Sequence, residues 1–255
     1  MPDSPPLRVR PLQAADWLVI CDFDGTIAHA DVTDGVLGRF ALPEWEDIEA
    51  EWKAGRIGSR ECMKRQVDLL RAPRAALDAY LDTVEIDPAF PAFVADCRAR
   101  GLEVVVISDG IDYSIRRILG RHRLDHLLHA SNRLVRLGED RYTLEFPDAD
   151  PRCSAGSGTC KCRSSSRMAS GRRRLLIGDG TSDFCLAGEA DLVFAKHKLL
   201  QRCAERALPH QACPDFSAAR RLLPLLDRSG LQATQSTGAR RAVSFNAPVE
   251  TLVNG

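Results

Sequence analysis

The sequence predicts an α/β protein with a parallel sheet covered by helices. Short apolar runs typical of buried strands alternate with longer helical patterns, which is the arrangement that produces a parallel sheet. The runs are WLVIC (17–21), LEVVVIS (102–108), RLLIG (174–178) and DLVFA (191–195). The first three end abruptly in polar or small residues, and the carboxyl ends of parallel strands line the ligand crevice of such a sheet. We therefore expect three polar clusters to converge in one crevice.

The pattern along the chain predicts two tails, a core and an inserted helical unit. The insertion is too long for an ordinary crossover helix, so it is expected to cap the crevice, and Ser59 is a plausible helix N-cap within it. A hairpin is expected at 129–146 and a loop at 153–162. The predicted units are a flexible tail (1–15), a core in two parts (16–31 and 98–228), a helical cap (32–97) and a disordered tail (229–255).

Composition and charge favour a small-molecule partner. Acidic and basic residues number 35 each, so no overall field attracts nucleic acid or an anionic membrane. The chain lacks a bilayer-length apolar run, and its first residues lack the apolar core of a signal peptide. Nine cysteines, an odd number, indicate mostly free thiols in a reducing compartment. We expect a cytoplasmic enzyme, monomeric or homodimeric, that binds neither nucleic acid nor membrane.

Asp22 and Asp24 stand two positions apart at the end of the first predicted strand. The strand pleat directs both carboxylates to one side, where a divalent cation can screen their repulsion. Magnesium prefers such oxygen ligands, and a carboxylate beside a phosphate can act as a nucleophile. The alternative is a simple turn, since Asp and Gly favour turns after strands.

Three motifs, DFDGT, ISDG and GDGTSD, follow three predicted strands in this order. The set resembles the haloacid dehalogenase superfamily of phosphotransferases over roughly residues 17–216. The resemblance implies a Rossmann-like parallel sheet core with a cap inserted between the first two motifs. It also implies that Asp22 is the nucleophile, that Asp24 is the general acid and base and offers its carbonyl to Mg²⁺, and that Thr26 contributes to substrate binding.

The same resemblance assigns residues of the later motifs. Ser108 would bind the transferring phosphoryl oxygens with the backbone amides of Asp109 and Gly110, although a Ser there could instead cap a helix. Asp179 and Asp183 would ligate Mg²⁺ or anchor its waters.

A fixed cation is expected near a phosphoryl-transfer site because negative charge spreads over the phosphoryl oxygens. Lys161 lies eighteen positions before Asp179, where the family carries a lysine. Arg163 and Arg167 are nearby competitors, and the alternative for all three is a solvent-exposed charged face.

The placement of the insertion resembles subfamily IB, the branch that contains phosphoserine phosphatase. Within that branch, three features are more similar to phosphatases of methionine salvage, which act on 2-hydroxy-3-keto-5-methylthiopentenyl-1-phosphate. They are the nine-residue spacing of Asp31 from the nucleophile, the segment PEW and the cysteine-rich segment GTCKC. Asp31 would face the substrate, or alternatively cap the helix that follows it.

Other interpretations remain open from sequence. The substrate could be phosphoserine, phosphocholine or a sugar phosphate, the phosphoryl group could pass to an alcohol, or the fold could serve a non-catalytic binding protein. Cys153, Cys160 and Cys162, with Cys185 in a neighbouring helix, raise the idea of structural zinc. Their spacing is not a pair of CxxC knuckles and no histidine accompanies them, so free thiols are favoured.

Overall fold

A computed structural model describes residues 16–153 and 155–228. The tails predicted at 1–15 and 229–255 lie outside these described residues. None of the helices in the described part of the chain is both long and apolar enough to span a bilayer.

Seven strands of the described chain form one sheet in the order β4-β3-β2-β1-β5-β6-β7. Neighbouring strands are parallel except β3 and β4, which are antiparallel. The strands are β1 (Trp17–Cys21), β2 (Glu103–Ile111), β3 (Leu128–Arg136), β4 (Tyr142–Glu145), β5 (Arg173–Gly178), β6 (Leu192–Ala195) and β7 (His210–Ala212).

All four predicted strands are confirmed, and so is the hairpin, which is formed by β3 and β4. The second predicted strand was too short, because β2 continues through the polar residues Ser108 and Asp109 to Ile111. Strand β7 was missed because its sequence, HQA, has three residues and no apolar run.

The helices of the described chain cover both faces of the sheet. Their bounds are α1 (Val32–Phe40), α2 (Trp45–Lys53), α3 (Ser59–Asp68), α4 (Arg74–Leu81), α5 (Phe90–Ala99), α6 (Asp112–Arg121), α7 (Lys161–Ala169), α8 (Phe184–Ala187), α9 (His197–Glu205), α10 (Phe216–Leu222) and α11 (Leu225–Arg228).

Two sequence predictions about helix ends were wrong. The loop predicted at 153–162 stops at Cys160, because α7 begins at Lys161. The buried side of α7 includes small serines rather than an apolar stripe, so its helical period was weak in the sequence. The N-cap of α3 is Gly58 rather than Ser59, whose hydroxyl instead bonds to a distant carboxylate.

The strand β1 lies at the centre of the hydrophobic core. Its side chains alternate between the two faces, with Trp17 and Val19 in one apolar cluster and Leu18 and Ile20 in the other. All five of its residues are buried, as expected for a parallel strand covered on both sides. The chain builds outward from β1 to β4 and then returns to β5 beside β1, so the strand order reverses at this pair. A crevice for ligands is expected at such a reversal.

The segment predicted as a cap contains α1 to α4 and most of α5. Helices α2 and α3 pack together, and α3 also contacts β4. Helix α5 packs instead against β2 and α10, and the predicted boundary at residue 97 runs through it. The division of the chain into core and cap stays a prediction.

Candidate active site

Three carboxylates meet at the carboxyl ends of β1 and β5. Asp22 follows β1 directly and Asp179 follows β5. The Asp22 amide donates to the Ile177 carbonyl at 2.9 Å, which holds the two strand ends side by side. Asp183 joins them from the short 3-10 turn that precedes α8. One carboxylate oxygen of each residue lies within 4.8 Å of the other two, and we call this group the carboxylate trio.

Lys161 lies against this trio. It is the first residue of α7, and only 2% of its side chain is exposed. Its Nζ lies 2.8 Å from Asp22 Oδ1 and 2.6 Å from Asp183 Oδ1. The competing arginines, Arg163 and Arg167, are more than half exposed and pair with acidic residues outside the trio. Burial therefore distinguishes the three basic candidates of this helix.

The tight turn after β1 carries two more of the predicted residues. Thr26 is buried, and its Oγ1 donates to Asp179 Oδ1 at 2.8 Å, so it orients a carboxylate of the trio. Asp24 Oδ1 accepts from the first amide of α1 at 2.8 Å. The turn requires glycine at position 25 for two reasons. The φ of Gly25 is +68°, and a Cβ at this position would lie 2.7 Å from Asp179 Oδ2. The Asp24 carboxylate lies outside the trio, and its metal contact through the carbonyl stays a prediction, as does substrate binding by Thr26.

The end of β2 lies beside this turn. Ser108 is buried, and its Oγ accepts from the Gly110 amide at 2.9 Å. A Cβ added at Gly110 would lie 2.5 Å from Asp24 Oδ2, so glycine permits the close approach of the two segments. The register of β2 against β3 shifts at this point, which explains how polar residues continue the strand.

The Asp109 carboxylate joins three further segments of the chain. It accepts from Ser59 Oγ at 2.6 Å, from the Thr159 amide at 2.8 Å and from Asn132 Nδ2 at 3.1 Å. Thr159 stands two residues before Lys161, and Ser59 begins α3 in the predicted cap. One side chain therefore links the cap, the end of β2 and the loop that leads to the buried lysine. Sequence reasoning assigned only the Asp109 amide, a role that stays a prediction, and it missed Asn132 and Thr159.

Asp31 is the N-cap of α1. Its Oδ1 accepts from the Asp34 amide at 2.9 Å, and the residue is exposed. The alternative interpretation of this residue as a helix cap is therefore confirmed. Its contact with substrate stays a prediction. Burial raises the pKa of Asp24, and the charge of Asp31 adds to that rise.

Lys196 is a site residue that the sequence analysis missed. Its Nζ donates to the Thr26 carbonyl at 3.3 Å, and its charge partly offsets the rise that burial causes in the pKa of Asp179. Lys196 follows β6 directly. The rule that carboxyl ends of parallel strands line the crevice, applied to the fourth predicted strand, could have found it.

Burial and mutual repulsion dominate the electrostatics of the trio. Burial raises the pKa of Asp22 to about 8, and the Asp183 charge adds to this while Lys161 opposes it. Burial also raises the pKa of Asp179, which the Thr26 hydroxyl partly offsets. Burial lowers the pKa of Lys161, but attraction to Asp183 and Asp22 outweighs it, so the net pKa is raised. One ammonium group does not balance three carboxylates, and an added cation would relieve the repulsion.

The trio fits a hard divalent cation. Its donors are all carboxylate oxygens, which Mg²⁺ and Ca²⁺ prefer over nitrogen or sulfur. Two members are buried and Asp179 is partly exposed, so one side of the trio is held inside the protein and the other side is accessible.

Comparison with known proteins identifies the family. A family model of haloacid dehalogenase-like hydrolases matches residues 19–188, more than half of the chain. The chain belongs to the haloacid dehalogenase-like hydrolases. This membership confirms the resemblance that the three motifs indicated, and the mostly parallel sheet agrees with the expected Rossmann-like core.

Relatives of this hydrolase are named phosphatases. The 2-hydroxy-3-keto-5-methylthiopentenyl-1-phosphate phosphatase of Brevibacillus brevis is 32% identical over 81% of this chain and 94% of its own length. The protein of the same name from Geobacillus thermodenitrificans is 32% identical over 78% and 91%. Family and relatives together identify the hydrolase as a phosphatase, which disfavours the alternative of a non-catalytic binding protein.

Solved structures support the fold of the hydrolase. A phospho-aspartyl intermediate analogue of phosphoserine phosphatase is 21% identical with a TM-score of 0.61, covering 82% of this chain and 97% of that one. A cytosolic 5'-nucleotidase IIIB bound to cytidine is 14% identical with a TM-score of 0.58, covering 85% and 86%. At these identities the likeness concerns the fold alone.

Replacing Lys161 by methionine is expected to lower the free energy of unfolding by about 3 kcal/mol, because buried carboxylates lose their partner. Urea unfolding, measured with a chelator present, checks this value. Arg163→Met is the matched control, since it removes an exposed cation from the same helix and should leave stability nearly unchanged. Equal losses in the two variants would contradict the buried ion pairs.

Proposed function

We propose that the chain is a magnesium-dependent phosphomonoesterase that works through an aspartyl-phosphate on Asp22. The observation that carries this proposal is the position of the Asp22 carboxylate, in contact with Lys161 and within 4.8 Å of two further carboxylates. Membership of a hydrolase family with phosphatase relatives supports it.

Asp22 is suited to act as the nucleophile because one of its oxygens is held. Oδ1 accepts from the Phe23 amide at 2.8 Å and from Lys161 at 2.8 Å. These bonds fix the carboxylate plane and leave Oδ2 to attack phosphorus. A bond then forms between Oδ2 and phosphorus while the bond from phosphorus to the leaving oxygen breaks.

Asp24 is proposed to move the protons of both steps. Its Oδ1 is anchored at the start of α1, and its Oδ2 faces Gly110 near the Ser108 hydroxyl. It would give a proton to the leaving oxygen and then take one from the water that attacks the aspartyl-phosphate. The second attack breaks the bond between phosphorus and Asp22 and releases inorganic phosphate.

Lys161 and Ser108 are proposed to bind the phosphoryl oxygens. The buried ammonium group is held by two carboxylates, so its charge is positioned before the substrate arrives. The Ser108 hydroxyl lies near the end of β2, beside Asp24. The backbone amides of Asp109 and Gly110 would complete the oxygen-binding set.

Asp22, Asp179 and Asp183 would hold the metal, with the Asp24 carbonyl as a further ligand. Magnesium, when bound, supplies positive charge that attracts the phosphate and stabilises charge on its oxygens. Thr26 would keep Asp179 oriented through its hydroxyl, and Lys196 would hold Thr26 through the Thr26 carbonyl.

The substrate is proposed to be a small phosphorylated metabolite, 2-hydroxy-3-keto-5-methylthiopentenyl-1-phosphate of methionine salvage. Support comes from relatives of that name whose length this chain covers almost completely. Trp45 and Trp52 of α2 are candidates for contacting the methylthio group, since Trp45 is partly buried and Trp52 is 38% exposed. A monomeric or homodimeric state remains the expectation.

A panel of phosphate esters tests the substrate assignment. The salvage enediol phosphate is expected to be turned over with a kcat/KM at least about tenfold above that for phosphoserine, phosphocholine and glucose 6-phosphate, because a fitted pocket adds binding energy of about 1.4 kcal/mol or more. Uniform, slow turnover of every ester would contradict a dedicated salvage enzyme while leaving the chemistry intact.

Two isosteric variants separate the proposed roles of the first motif. Asp24→Asn is expected to release about one equivalent of p-nitrophenol per chain in a burst, because this leaving group needs no acid, and then to turn over about 10²–10⁴ times more slowly than wild type. Asp22→Asn is expected to show no burst. The control is Asp96→Asn, which changes a surface carboxylate beside Arg220 and is expected to behave like wild type. Stopped-flow absorbance measures all three, and a burst from Asp22→Asn would rule out that residue as the nucleophile.

Metal dependence tests the trio. Chelation is expected to abolish turnover of p-nitrophenyl phosphate, and added Mg²⁺ to restore it. In Asp179→Asn, loss of a charged ligand should raise the Mg²⁺ concentration for half-maximal activity by about tenfold or more. Titration of activity with Mg²⁺ checks this, with Asp96→Asn again as the matched control. An unchanged Mg²⁺ requirement in Asp179→Asn would exclude it as a ligand.

A further inference from the structure

A second cluster of metal-binding side chains lies outside the carboxylate trio. Four cysteines, Cys153, Cys160, Cys162 and Cys185, line one cavity of about 550 Å³. Asp150 and Glu189 also line it, as do Arg152 and Arg163, which both pair with Asp150. The other five cysteines of the chain, at 21, 62, 97, 203 and 213, are all buried, whereas Cys153, Cys162 and Cys185 are only partly buried. The cavity therefore gathers the accessible thiols of the described chain.

The fold brings these thiols together from three separate segments. Cys153 lies in the loop before α7, Cys160 and Cys162 lie at the start of α7, and Cys185 lies in α8. Burial raises the pKa of the Cys160 thiol and its hydrogen bond with Cys153 adds to the rise, while a hydrogen bond with Cys185 raises the pKa of the Cys162 thiol. The thiols therefore interact as two pairs, and both pairs line the same cavity. The sequence analysis grouped these four cysteines, and the fold adds that they line one cavity.

We propose that this cavity binds one soft divalent cation of the zinc class through its four cysteine thiolates. Each thiol that becomes a ligand loses its proton to solvent, so binding releases protons and forms sulfur–metal bonds without any change of oxidation state. Thiolate sulfur selects zinc-like ions, whereas the oxygen donors of the carboxylate trio select magnesium. The two sites therefore differ in chemistry and do not compete for one metal.

Metal binding requires the two thiol pairs to approach each other. Among the described residues, no three of these thiols bring their sulfurs within 4.8 Å of one another. Tetrahedral zinc has zinc–sulfur bonds of about 2.3 Å, so its sulfur ligands lie about 4 Å from one another. Helices α7 and α8 pack together, which holds the segments of Cys160, Cys162 and Cys185 against each other.

A metal bound by the four thiols would fix the position of the segments around Lys161. This lysine stands between Cys160 and Cys162, and Cys185 follows Asp183 by two residues. The Gly156 carbonyl of the same loop accepts from the Arg60 amide of α3 at 3.0 Å. A metal held by the four thiols would therefore tie the start of α7, α8 and the contact with α3 into one unit.

Titration of the full-length protein with Co²⁺ tests the proposal, because tetrahedral cobalt–thiolate sites absorb strongly in the near ultraviolet. The protein is reduced, freed of metal by chelation and supplied with excess Mg²⁺, so that the carboxylate trio is occupied. One equivalent of Co²⁺ per chain is expected to give this band, and Zn²⁺ is expected to abolish it by displacement. The readout does not depend on phosphatase activity, so it stands or fails separately from the proposed function.

Cysteine variants assign the ligands. The double variant Cys160→Ala and Cys185→Ala is expected to lose the cobalt–thiolate band and to bind Zn²⁺ at least about a hundredfold more weakly. Cys203→Ala, which removes a buried thiol outside the cavity, is the matched control and should keep both. Circular dichroism confirms that each variant is folded.

Three results would overturn the proposal. The first is a wild-type protein with no cobalt–thiolate band, and the second is a band that survives in the double variant. The third is a mass spectrum that shows Cys153–Cys160 or Cys162–Cys185 disulfides in the reduced sample, because the thiols would then be redox partners instead of ligands.

Discussion

The constraint on which the site depends is a buried lysine held between two buried carboxylates. Taking such charges out of water costs several kcal/mol for each ion, and only close pairing offsets that cost. Lys161 meets this condition with both Asp22 and Asp183. Asp179 remains as an additional negative charge nearby. The site therefore carries excess negative charge, and a bound divalent cation would balance it.

The sheet topology explains why these groups meet. The strands β1 and β5 are adjacent and parallel although about 150 residues separate them, and the strand order reverses at this pair. Their carboxyl ends therefore lie side by side at the place where a ligand crevice is expected. Gly25 and Gly110 allow the backbone to approach two of the carboxylates more closely than a side chain would permit. The strand ends thus hold the carboxylates, and glycines in the neighbouring segments leave room for them.

The sequence predicted those parts of the site that lie at strand ends. Asp22 and Asp179 each follow an apolar run, so their convergence followed from the general rule for parallel sheets. The choice of Lys161 over neighbouring arginines needed the family resemblance, because only burial separates them physically.

Side chains that meet through tertiary contacts could not be predicted. Asp109 joins Ser59, Asn132 and Thr159 across up to 50 residues of sequence, and no local pattern marks such a network. The four cysteines were grouped from the sequence, but the cavity that they line follows only from the fold. Asp31 illustrates the opposite case, since its role as a helix cap is local and was readable from sequence.

Helix α3, in the predicted cap, contacts two segments of the proposed active site. Ser59 donates to Asp109, which is next to Ser108, and the Arg60 amide donates to Gly156 in the loop before Lys161. Movement of α3 would therefore affect both segments. Such coupling would allow binding of the organic part of a substrate to adjust the groups that hold its phosphate.

The central claim is that Asp22 carries the phosphoryl group, and chemical trapping tests it most directly. Enzyme quenched during turnover of p-nitrophenyl phosphate is reduced with borohydride, which converts an aspartyl-phosphate to homoserine, and peptide mass spectrometry then locates the modified position. Homoserine at position 22 is the expected result. Homoserine at position 24 instead, or an unmodified peptide from enzyme that was turning over, would contradict the account.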